Sequence, residues 1–296
     1  MDLFSQASFL SESLLGFNSY YAFQGRYAVI KRRTMGHRSF QEIAGYQRLD
    51  ELNEKIEKFS SRVLKKDCLD LPEKVYVKRD VPLTEEQTKH YAEMKKMALT
   101  LFEDGKLATT ASVLTQIMRL QQICCGFIRD DDETIREIPS NRIKELMSIL
   151  NETSGKVIIW ASFVHDIVTI RDAIAKEFGA KSVVTYYGET PQDQRQVIVK
   201  KFQEKEEPRF FVGQPRTGGF GITLTAANTV IYYSNSYDLE IRLQSEDRAH
   251  RIGQKKSVTY IDLVSPKTID VKVIEALRNK VDIASQVLNE SIQVWL

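Results

Sequence analysis

Runs of apolar, β-branched residues alternate with amphipathic stretches through the second half of the chain. Five runs have the length of a strand, and they are residues 157–160, 183–187, 210–212, 230–233 and 260–264. The stretch before the first run has Ile143, Leu146 and Leu150 at helical spacing, and helix-like stretches or loops separate the other runs. Continuous apolar strands joined by crossovers are typical of a parallel sheet covered on both faces. The pattern predicts an α/β fold with a parallel sheet flanked by helices.

The first 135 residues have a weaker and mainly helical pattern. Residues 1–70 begin with scattered aromatic side chains, pass a basic cluster that includes Lys31 and Arg32, and become amphipathic at residues 49–59. A short strand and two helices that pair as a hairpin are predicted next, at residues 75–77, 85–102 and 113–123. These changes of pattern predict three segments, which are residues 1–70, 71–135 and 136–296.

Composition and charge exclude few classes of function. The 296 residues include 42 Lys and Arg against 40 Asp and Glu, and a net charge of +2 neither requires nor excludes nucleic acid as a partner. The spacing of Cys68, Cys124 and Cys125 suits neither a disulfide framework nor a metal site, and no metal site is predicted. The sequence has no apolar run of roughly 18 residues and no signal pattern, which predicts an intracellular protein without a membrane partner.

A glycine-rich segment follows the predicted strand at residues 210–212. In an open parallel sheet, ligands bind at the carboxyl ends of the strands, so this position is favourable for a site. Three glycines among residues 218–221 would let the backbone approach an anion closely, and the hydroxyl of Thr217 could help to hold phosphate. A tight turn without a ligand explains the same glycines, and both interpretations stay open on this segment alone.

A second polar segment lies at residues 244–254. If residues 239–251 form a helix, then Gln244, Asp247, Arg248 and Arg251 share one face. Two arginines one turn apart, steadied by a carboxylate and an amide, are suited to neutralising charge on a γ-phosphate that is being transferred. A surface helix with ion pairs is the alternative, and the spacing alone does not decide between them.

These two segments resemble consecutive motifs of the Swi/Snf family of helicase-like ATPases. Residues 244–254 contain every fixed position of the family's last helicase motif, Q-x-x-D-R-x-H-R-x-G-Q, and residues 217–228 are similar to the motif before it. Weaker similarity extends over nearly the whole chain, at residues 71–91, 156–163 and 187–202. The chain therefore resembles the C-terminal half of a superfamily-two, Swi/Snf-type DNA-dependent ATPase.

The resemblance implies a fold for each predicted segment. Residues 136–296 would be the second RecA-like domain, a helicase C-terminal domain related to the P-loop NTPases. Residues 71–135 would form the strand and helical hairpin that lead into it. Residues 1–70 would be the tail of a first RecA-like domain together with the family's helical protrusion, so the chain is expected to begin in the middle of a longer protein.

The resemblance also implies roles for twelve residues. Four are carried over as catalytic, with the arginines acting on ATP across a cleft, and they are Gln244, Asp247, Arg248 and Arg251. Three are carried over as nucleotide-binding, and they are Gly219, Gly221 and Gln254. Five are carried over as DNA-binding, and they are Gly188, Thr190, Arg195, Thr217 and Gly218.

The implied cofactors and partners are ATP and Mg²⁺, double-stranded DNA gripped by its backbone, and an N-terminal RecA-like domain of the same protein. The sequence has no G-x-x-x-x-G-K-[ST] phosphate loop, so ATP and Mg²⁺ would be held mainly by that other domain and this chain alone would not hydrolyse ATP. A non-catalytic DNA- or protein-binding regulatory module is the alternative function. A dinucleotide-dependent enzyme is disfavoured because residues 218–221 lack the G-x-G-x-x-G spacing.

The chain departs from the family pattern at several places. Before the arginine-bearing segment the family usually has Trp-Asn-Pro where residues 237–239 are Tyr-Asp-Leu, and Arg216 stands where a lysine is common. The family usually has Ser-Gln after the aromatic residue that ends the first strand, where this chain has Ala161 and Ser162. Residues 213–215, Gly-Gln-Pro, are an unusual lead into the glycine-rich segment.

Overall fold

The computed structural model describes the chain in two compact units, Met1–Leu69 and Asp70–Leu296. The residues that it describes are 2–35, 38–61, 69–103, 110–129, 132, 134–218, 221–236 and 238–278. Within these residues, no helix is both long enough and apolar enough to cross a membrane.

The first unit combines helices with a β-hairpin. Its elements in chain order are α1 (Asp2–Leu10), α2 (Tyr20–Tyr27), β1 (Ala28–Met35), β2 (Arg38–Tyr46) and α3 (Leu49–Glu57). Helix α3 begins where the amphipathic pattern predicted a helix. The hairpin was not predicted, because the sequence before α3 is weakly patterned, yet residues 28–35 and 38–46 pair as antiparallel strands, with Ala28 opposite Tyr46.

A small aromatic core holds the first unit together. Phe23 and Tyr27 of α2 are buried, and Phe17 packs edge-on against both rings. Leu52 and Ile56 of α3 pack against this cluster. At its edge, the carboxylate of Glu51 accepts hydrogen bonds from Arg26 and Tyr27 and ties α3 to α2.

A six-stranded parallel sheet forms the centre of the second unit. Its strands in chain order are β3 (Lys74–Asp80), β6 (Lys156–Trp160), β7 (Val183–Tyr186), β8 (Phe210–Gly213), β9 (Ala227–Tyr232) and β10 (Val258–Val264). Their order across the sheet is β3-β10-β9-β6-β8-β7. The sheet confirms the predicted α/β fold. Residues 75–77 prove to lie in an edge strand of this same sheet, paired with β10.

Helices and a short hairpin surround the sheet. The helices are α4 (Glu85–Glu103), α5 (Thr110–Cys125), α6 (Arg142–Glu152), α7 (Val164–Phe178), α8 (Gln192–Glu204), α9 (Pro215–Gly218), α10 (Leu239–Ala249) and α11 (Ile269–Arg278). The hairpin pairs β4 (Phe127–Arg129) with β5 (Ile135–Glu137).

Alternate residues of each central strand point to opposite faces of the sheet, and both faces are buried. Ile159 packs on one face with residues of α6 and α7, whereas Ile158 and Trp160 pack on the other face with Phe202 of α8 and Ala249 of α10. Full burial of one large apolar side chain contributes about 1.5–3 kcal/mol, so the two layers together fix the sheet. The loops after the strands are therefore held on a rigid frame.

The predicted helical hairpin of α4 and α5 packs against α11. Helix α4 begins with a reciprocal cap, in which Thr84 Oγ1 accepts from Gln87 N–H and Gln87 Oε1 accepts from Thr84 N–H. The amide of Gln87 also donates to the carbonyl of Ile123 near the end of α5, at 2.7 Å. Residues from all three helices share one apolar cluster, including Ile117 and Val273.

Candidate functional site

The loops that follow β6, β8 and β9 meet because these strands are parallel neighbours. The N–H of Ser162 donates to Ser234 Oγ at 2.8 Å, and the side-chain amide of Gln214 donates to the carbonyl of Ser162 at 3.0 Å. A cleft of about 350 Å³ opens beside these bonds. It is lined by side chains from the three loops and from α5 and α10, among them Gln121, Gln214, Arg216, Asn235 and Ile241.

The first half of the glycine-rich segment forms the single turn α9. Thr217 lies on this turn, and its hydroxyl donates to Gln214 Oε1 at 3.3 Å. Gly218 packs so closely on the indole of Trp160 that a Cβ atom at this position would lie 2.6 Å from the ring. Gly221 has φ +74°, a conformation that favours glycine. Gly219 lies outside the described residues.

The contact between Gly218 and Trp160 leads to a prediction about stability. We expect Gly218→Ala to lower the free energy of unfolding by about 1–3 kcal/mol, because the added methyl group overlaps a ring that is itself fully buried. Urea denaturation would measure the loss. Gly188→Ala is the matched control, since a Cβ atom at Gly188 meets nothing within 4 Å. Equal losses in the two variants would contradict the prediction.

Three of the predicted DNA-binding residues shape the loop after β7. The N–H of Tyr187 donates to Thr190 Oγ1 at 3.0 Å. Arg195, on α8, reaches back and donates to the carbonyls of Thr190 at 3.1 Å and Gly188 at 3.3 Å. Its guanidinium also lies 5.6 Å from the ring centroid of Tyr186. Arg195 therefore holds this loop, and its contact with DNA stays a prediction.

Helix α10 is shorter at its end than the sequence predicted. Asp238 caps its start by accepting from the N–H groups of Glu240 and Ile241, and the helix ends at Ala249. The predicted helix of residues 239–251 was therefore wrong at its C-terminus, and Arg251 lies beyond the helix. The physical reason is that His250 leaves helical geometry, with ψ 77°, and its ring bonds to the carbonyl of Pro72 at 2.7 Å.

Arg248 joins α10 to the glycine-rich segment. Its Nε donates to the carbonyl of Gln244 at 2.8 Å, and its Nη1 donates to the carbonyl of Ile222 at 3.3 Å. In return, the carbonyl of Arg248 accepts from the N–H of Leu224 at 2.9 Å. The structure thus brings together the two segments that the sequence singled out.

Two positive charges lie close together at the end of α10. Burial lowers the pKa of Arg248, and the nearby charge of Arg251 lowers it further. Arg251 itself is exposed. The Gln244 amide donates to Glu240, and the Asp247 carboxylate, which favours the charged form of Arg248, also lies 3.8 Å from the ammonium of Lys74. Their supporting roles stay predictions. This end of α10 therefore carries a half-buried and an exposed cation, which suits an anionic ligand.

Gln254 is engaged with main-chain groups on several sides. Its side-chain amide donates to the carbonyls of Thr225, Ala227 and Ala249, and its side-chain carbonyl accepts from the N–H groups of Lys255 and Lys256. In this arrangement Gln254 fastens the loop after α10 to the start of β9. The predicted contact between Gln254 and nucleotide stays untested, and the observed bonds assign it a positioning role.

A buried ionic network beneath α10 was missed by the sequence analysis. Arg242 donates to Glu246 at 2.9 Å and to Asp262 at 2.5 Å, and it stacks over the ring of Tyr232 at 3.4 Å. Glu246 also accepts from Lys74 of β3 at 2.9 Å. Burial opposes ionisation of Glu246, yet Arg242 and Lys74 hold its pKa below the ordinary value. The only sequence signals were an Arg-Glu pair at i, i+4 and an aspartate within an apolar strand.

Metal-binding geometry does not accompany these groups. In the part of the chain that the structure describes, no group of three or more His, Cys, Asp or Glu side chains could hold a metal ion.

Comparisons with known proteins identify two regions of the chain. Residues 141–253 match the family described as helicase conserved C-terminal domain, and residues 8–127 match the family described as SNF2-related domain. The chain is 28% identical over 256 residues to the putative ATP-dependent helicase/translocase YwqA of Bacillus subtilis, covering 83% of this chain and 27% of the relative. It is 30% identical over 256 residues to the SWI/SNF chromatin-remodeling complex subunit snf22 of Schizosaccharomyces pombe, covering 80% and 15%.

Solved structures give a consistent result. The SWI2/SNF2 ATPase core of Sulfolobus solfataricus in complex with double-stranded DNA is 27% identical with a TM-score of 0.57, covering 99% of this chain and 62% of that chain. The C-terminal part of the Fun30 ATPase domain is 21% identical with a TM-score of 0.55, covering 73% and 92%, and shares the fold. The chain spans about a quarter of the length of the first relatives that it matches, at 27%, 25% and 23%.

Proposed function

Because the chain belongs to the Swi/Snf-type, SNF2-related helicases, we propose that it supplies the arginine-bearing and DNA-facing half of a DNA-dependent ATPase. The second unit has the RecA-like fold of such an ATPase core. The observation that carries the proposal is the pair of cations, Arg248 and Arg251, at the end of α10, of which Arg248 is bonded to the glycine-rich segment.

The proposed roles of the two arginines differ because their surroundings differ. Arg251 is exposed and free of the helix, so it would reach across a cleft to the γ-phosphate and neutralise charge as the phosphate is transferred. Arg248 is half-buried and bonded to the carbonyls of Gln244 and Ile222, so it would keep the end of α10 and the glycine-rich segment in register. When bound, ATP would supply the free energy of hydrolysis that drives closure of two domains.

DNA would lie along the carboxyl edge of the sheet. The loops after β7 and β8 are neighbours there, since the N–H of Gln214 donates to the carbonyl of Tyr186 at 3.0 Å. Gly188, Thr190, Thr217 and Gly218 belong to these two loops and would grip the DNA backbone through N–H and hydroxyl groups, with Arg195 adding charge. The match to a Sulfolobus core solved with double-stranded DNA supports DNA as the partner. A grip on phosphates implies little sequence specificity.

ATP and Mg²⁺ would be held mainly by an N-terminal RecA-like domain that carries a phosphate loop. The 296 residues contain no G-x-x-x-x-G-K-[ST] sequence, and the relatives that match are about four times as long as the matched region. We therefore propose that this chain does not hydrolyse ATP by itself. The same missing loop favours the second candidate function, a regulatory module that binds DNA or protein without turnover.

The first experiment is to measure ATP hydrolysis by this chain, with and without double-stranded DNA. The matched variant is Arg248→Ala/Arg251→Ala. We expect no turnover from either protein, because the phosphate loop is missing from the sequence. Turnover by the wild type that disappears in the double variant would overturn the half-enzyme proposal. Adding a phosphate-loop RecA-like domain then separates the candidates, since an ATPase half restores turnover and a binding module does not.

A further inference from the structure

A directional chain of four hydrogen bonds connects the DNA-facing turn α9 to a carboxylate in the core. Thr217 Oγ1 donates to Gln214 Oε1 at 3.3 Å, and Gln214 Nε2 donates to the carbonyl of Ser162 at 3.0 Å. The N–H of Ser162 donates to Ser234 Oγ at 2.8 Å, and Ser234 Oγ donates to Asp166 Oδ2 at 3.4 Å. All four donors point the same way, toward Asp166.

Asp166 is deeply buried among groups that face it from several elements. It lies on α7 with only 2% of its surface exposed. Cys125 of α5 and Ser234 after β9 hydrogen bond to it, Arg142 of α6 attracts it, and Tyr233 lies close by. Burial raises the pKa of Asp166 to about 7, although Arg142 and the hydrogen bonds from Cys125 and Ser234 oppose this shift. Its neighbour His165 faces Glu137 instead, at 3.7 Å.

The hydrogen-bonded series passes through two of the places where the sequence departs from the family pattern. Ser162 stands where the family usually has glutamine, and Gln214 belongs to the unusual lead into the glycine-rich segment. The structure joins these two residues directly, because the Gln214 amide donates to the Ser162 carbonyl. The two departures are therefore parts of one arrangement in this protein.

We propose that Asp166 is a positioning residue for the DNA-facing turn, acting on Thr217 and Gly218 through Ser234, Ser162 and Gln214. An ionised carboxylate can only accept, so Ser234 must turn its hydrogen toward Asp166 and present its lone pairs to Ser162 N–H. A hydrogen bond to a charged acceptor is roughly twice as strong as a neutral one, so the bond to Asp166 fixes Ser234 Oγ, which in turn fixes the main chain at Ser162. The turn is thereby fixed from the core, without any direct contact between Asp166 and DNA. This inference rests on the proposed function only for the statement that α9 faces DNA.

Amide hydrogen exchange tests the connection without DNA. The main-chain amides to follow are those of Ser162, Thr217 and Gly218. The N–H groups of Thr217 and Gly218 donate to the main-chain carbonyl of Gln214, at 3.1 Å and 2.8 Å, and that of Ser162 donates to Ser234 Oγ. At pH 8 we expect Asp166→Asn to reduce their protection by about 3- to 10-fold, the worth of one hydrogen bond. Amides of β10 should keep their protection. Unchanged protection at the three amides, or an equal loss through the whole sheet, would overturn the proposal.

Two further variants keep the test sharp if Asp166→Asn folds poorly. Gln214→Ala interrupts the series of hydrogen bonds near the surface. The amides of Thr217 and Gly218 should then lose protection, whereas the N–H of Ser162 keeps its bond to Ser234 Oγ. Ser182→Ala is the matched control, because it removes another buried hydroxyl, one that donates to the carbonyl of Gly179 at 2.7 Å. We expect no change at the three amides in this control, and a similar change there would overturn the proposal.

The charge on Asp166 provides a readout that a purely structural residue would not give. In the wild type, protection of the three amides relative to β10 should increase between pH 6 and pH 8, as Asp166 ionises and strengthens its bond from Ser234. The Asp166→Asn variant should show no such increase. A flat profile in the wild type would overturn the proposal.

Binding of a labelled 20-base-pair duplex separates this proposal from the proposed function. We expect Asp166→Asn to weaken binding by about 3- to 10-fold at pH 8, with an unchanged dependence on salt because the same phosphates are contacted. If the wild type does not bind the duplex, the proposed DNA contact is wrong. The hydrogen-exchange results then decide by themselves whether Asp166 positions the turn α9. If the wild type binds and the variant binds equally well, the positioning role is overturned.

Discussion

Arg251→Ala is expected to reduce DNA-stimulated ATP turnover by about 10³-fold or more once the chain is combined with a phosphate-loop domain, the loss typical of an arginine finger. The side chain is exposed and lies beyond the end of α10, so its removal should leave the fold intact. ATP binding should change little, because the phosphate loop holds the nucleotide and the arginine acts as charge develops during transfer. Steady-state hydrolysis and nucleotide titration would measure the two effects.

Two control variants make this result specific. Arg251→Lys keeps the charge and loses the planar fork, so an intermediate turnover would show that the geometry matters. Arg171→Ala removes a half-exposed arginine on α7, a helix that packs on the other face of the sheet from α10. Its turnover should equal that of the wild type. If Arg251→Ala turned over ATP at the same rate as Arg171→Ala, Arg251 would have no part in the reaction.

Asp262→Ala is expected to lower the free energy of unfolding by about 3–5 kcal/mol, because it leaves the guanidinium of Arg242 buried without its strand partner. Glu246 still accepts from Arg242, but one carboxylate then faces both Arg242 and Lys74. The network ties α10 to β10 and β3, so the end of the helix that carries Arg248 should loosen as well. Urea denaturation would measure the stability.

The matched control is Asp172→Ala, which breaks the exposed pair between Arg171 and Asp172 on α7. Solvent screens such a pair, and the expected loss is below about 1 kcal/mol. A double variant, Arg242→Met/Asp262→Leu, should recover part of the stability lost in Asp262→Ala, since it removes both buried charges together. A loss below about 1 kcal/mol in Asp262→Ala would show that the buried pair does not stabilise the fold.

Most of the sheet could be predicted because its strands are buried on both faces. The runs at residues 157–160 and 210–212 are continuous and apolar, and no surface helix has that pattern. The hairpin of β1 and β2 could not be predicted in the same way. Its strands mix basic and apolar residues, and Val29 and Ile30 are exposed, so burial left no alternating pattern in the sequence.

The candidate site was predicted less completely than the fold, because the hydrogen-bond partners of its polar side chains lie in distant segments of the sequence. The residue types at 244–254 showed where charge would gather, and the structure places Arg248 beside the glycine-rich segment. Some polar side chains of the site are hydrogen-bonded to other parts of the protein. Which ones these are depends on contacts between segments that are distant in the sequence. The amide of Gln254 closes on carbonyls of Thr225 and Ala227, and the ring of His250 meets Pro72. Local spacing contains no information about such partners.

The position of β3 in the sheet also affects the order in which the strands can pair during folding. It is separated from its partner β10 by every other strand of the sheet in chain order, yet the two pair over seven positions, from Lys74 opposite Val258 to Asp80 opposite Val264. Closing so long a loop costs conformational entropy before the pairing returns any stability, which slows folding. During synthesis, the apolar strands from β6 to β9 therefore leave the ribosome before β10, the strand that joins β3 to β9, is available. Until β10 is available, β3 has no partner strand, so the bond from Lys74 to Glu246 that ties β3 to the arginine-bearing helix is expected to form late.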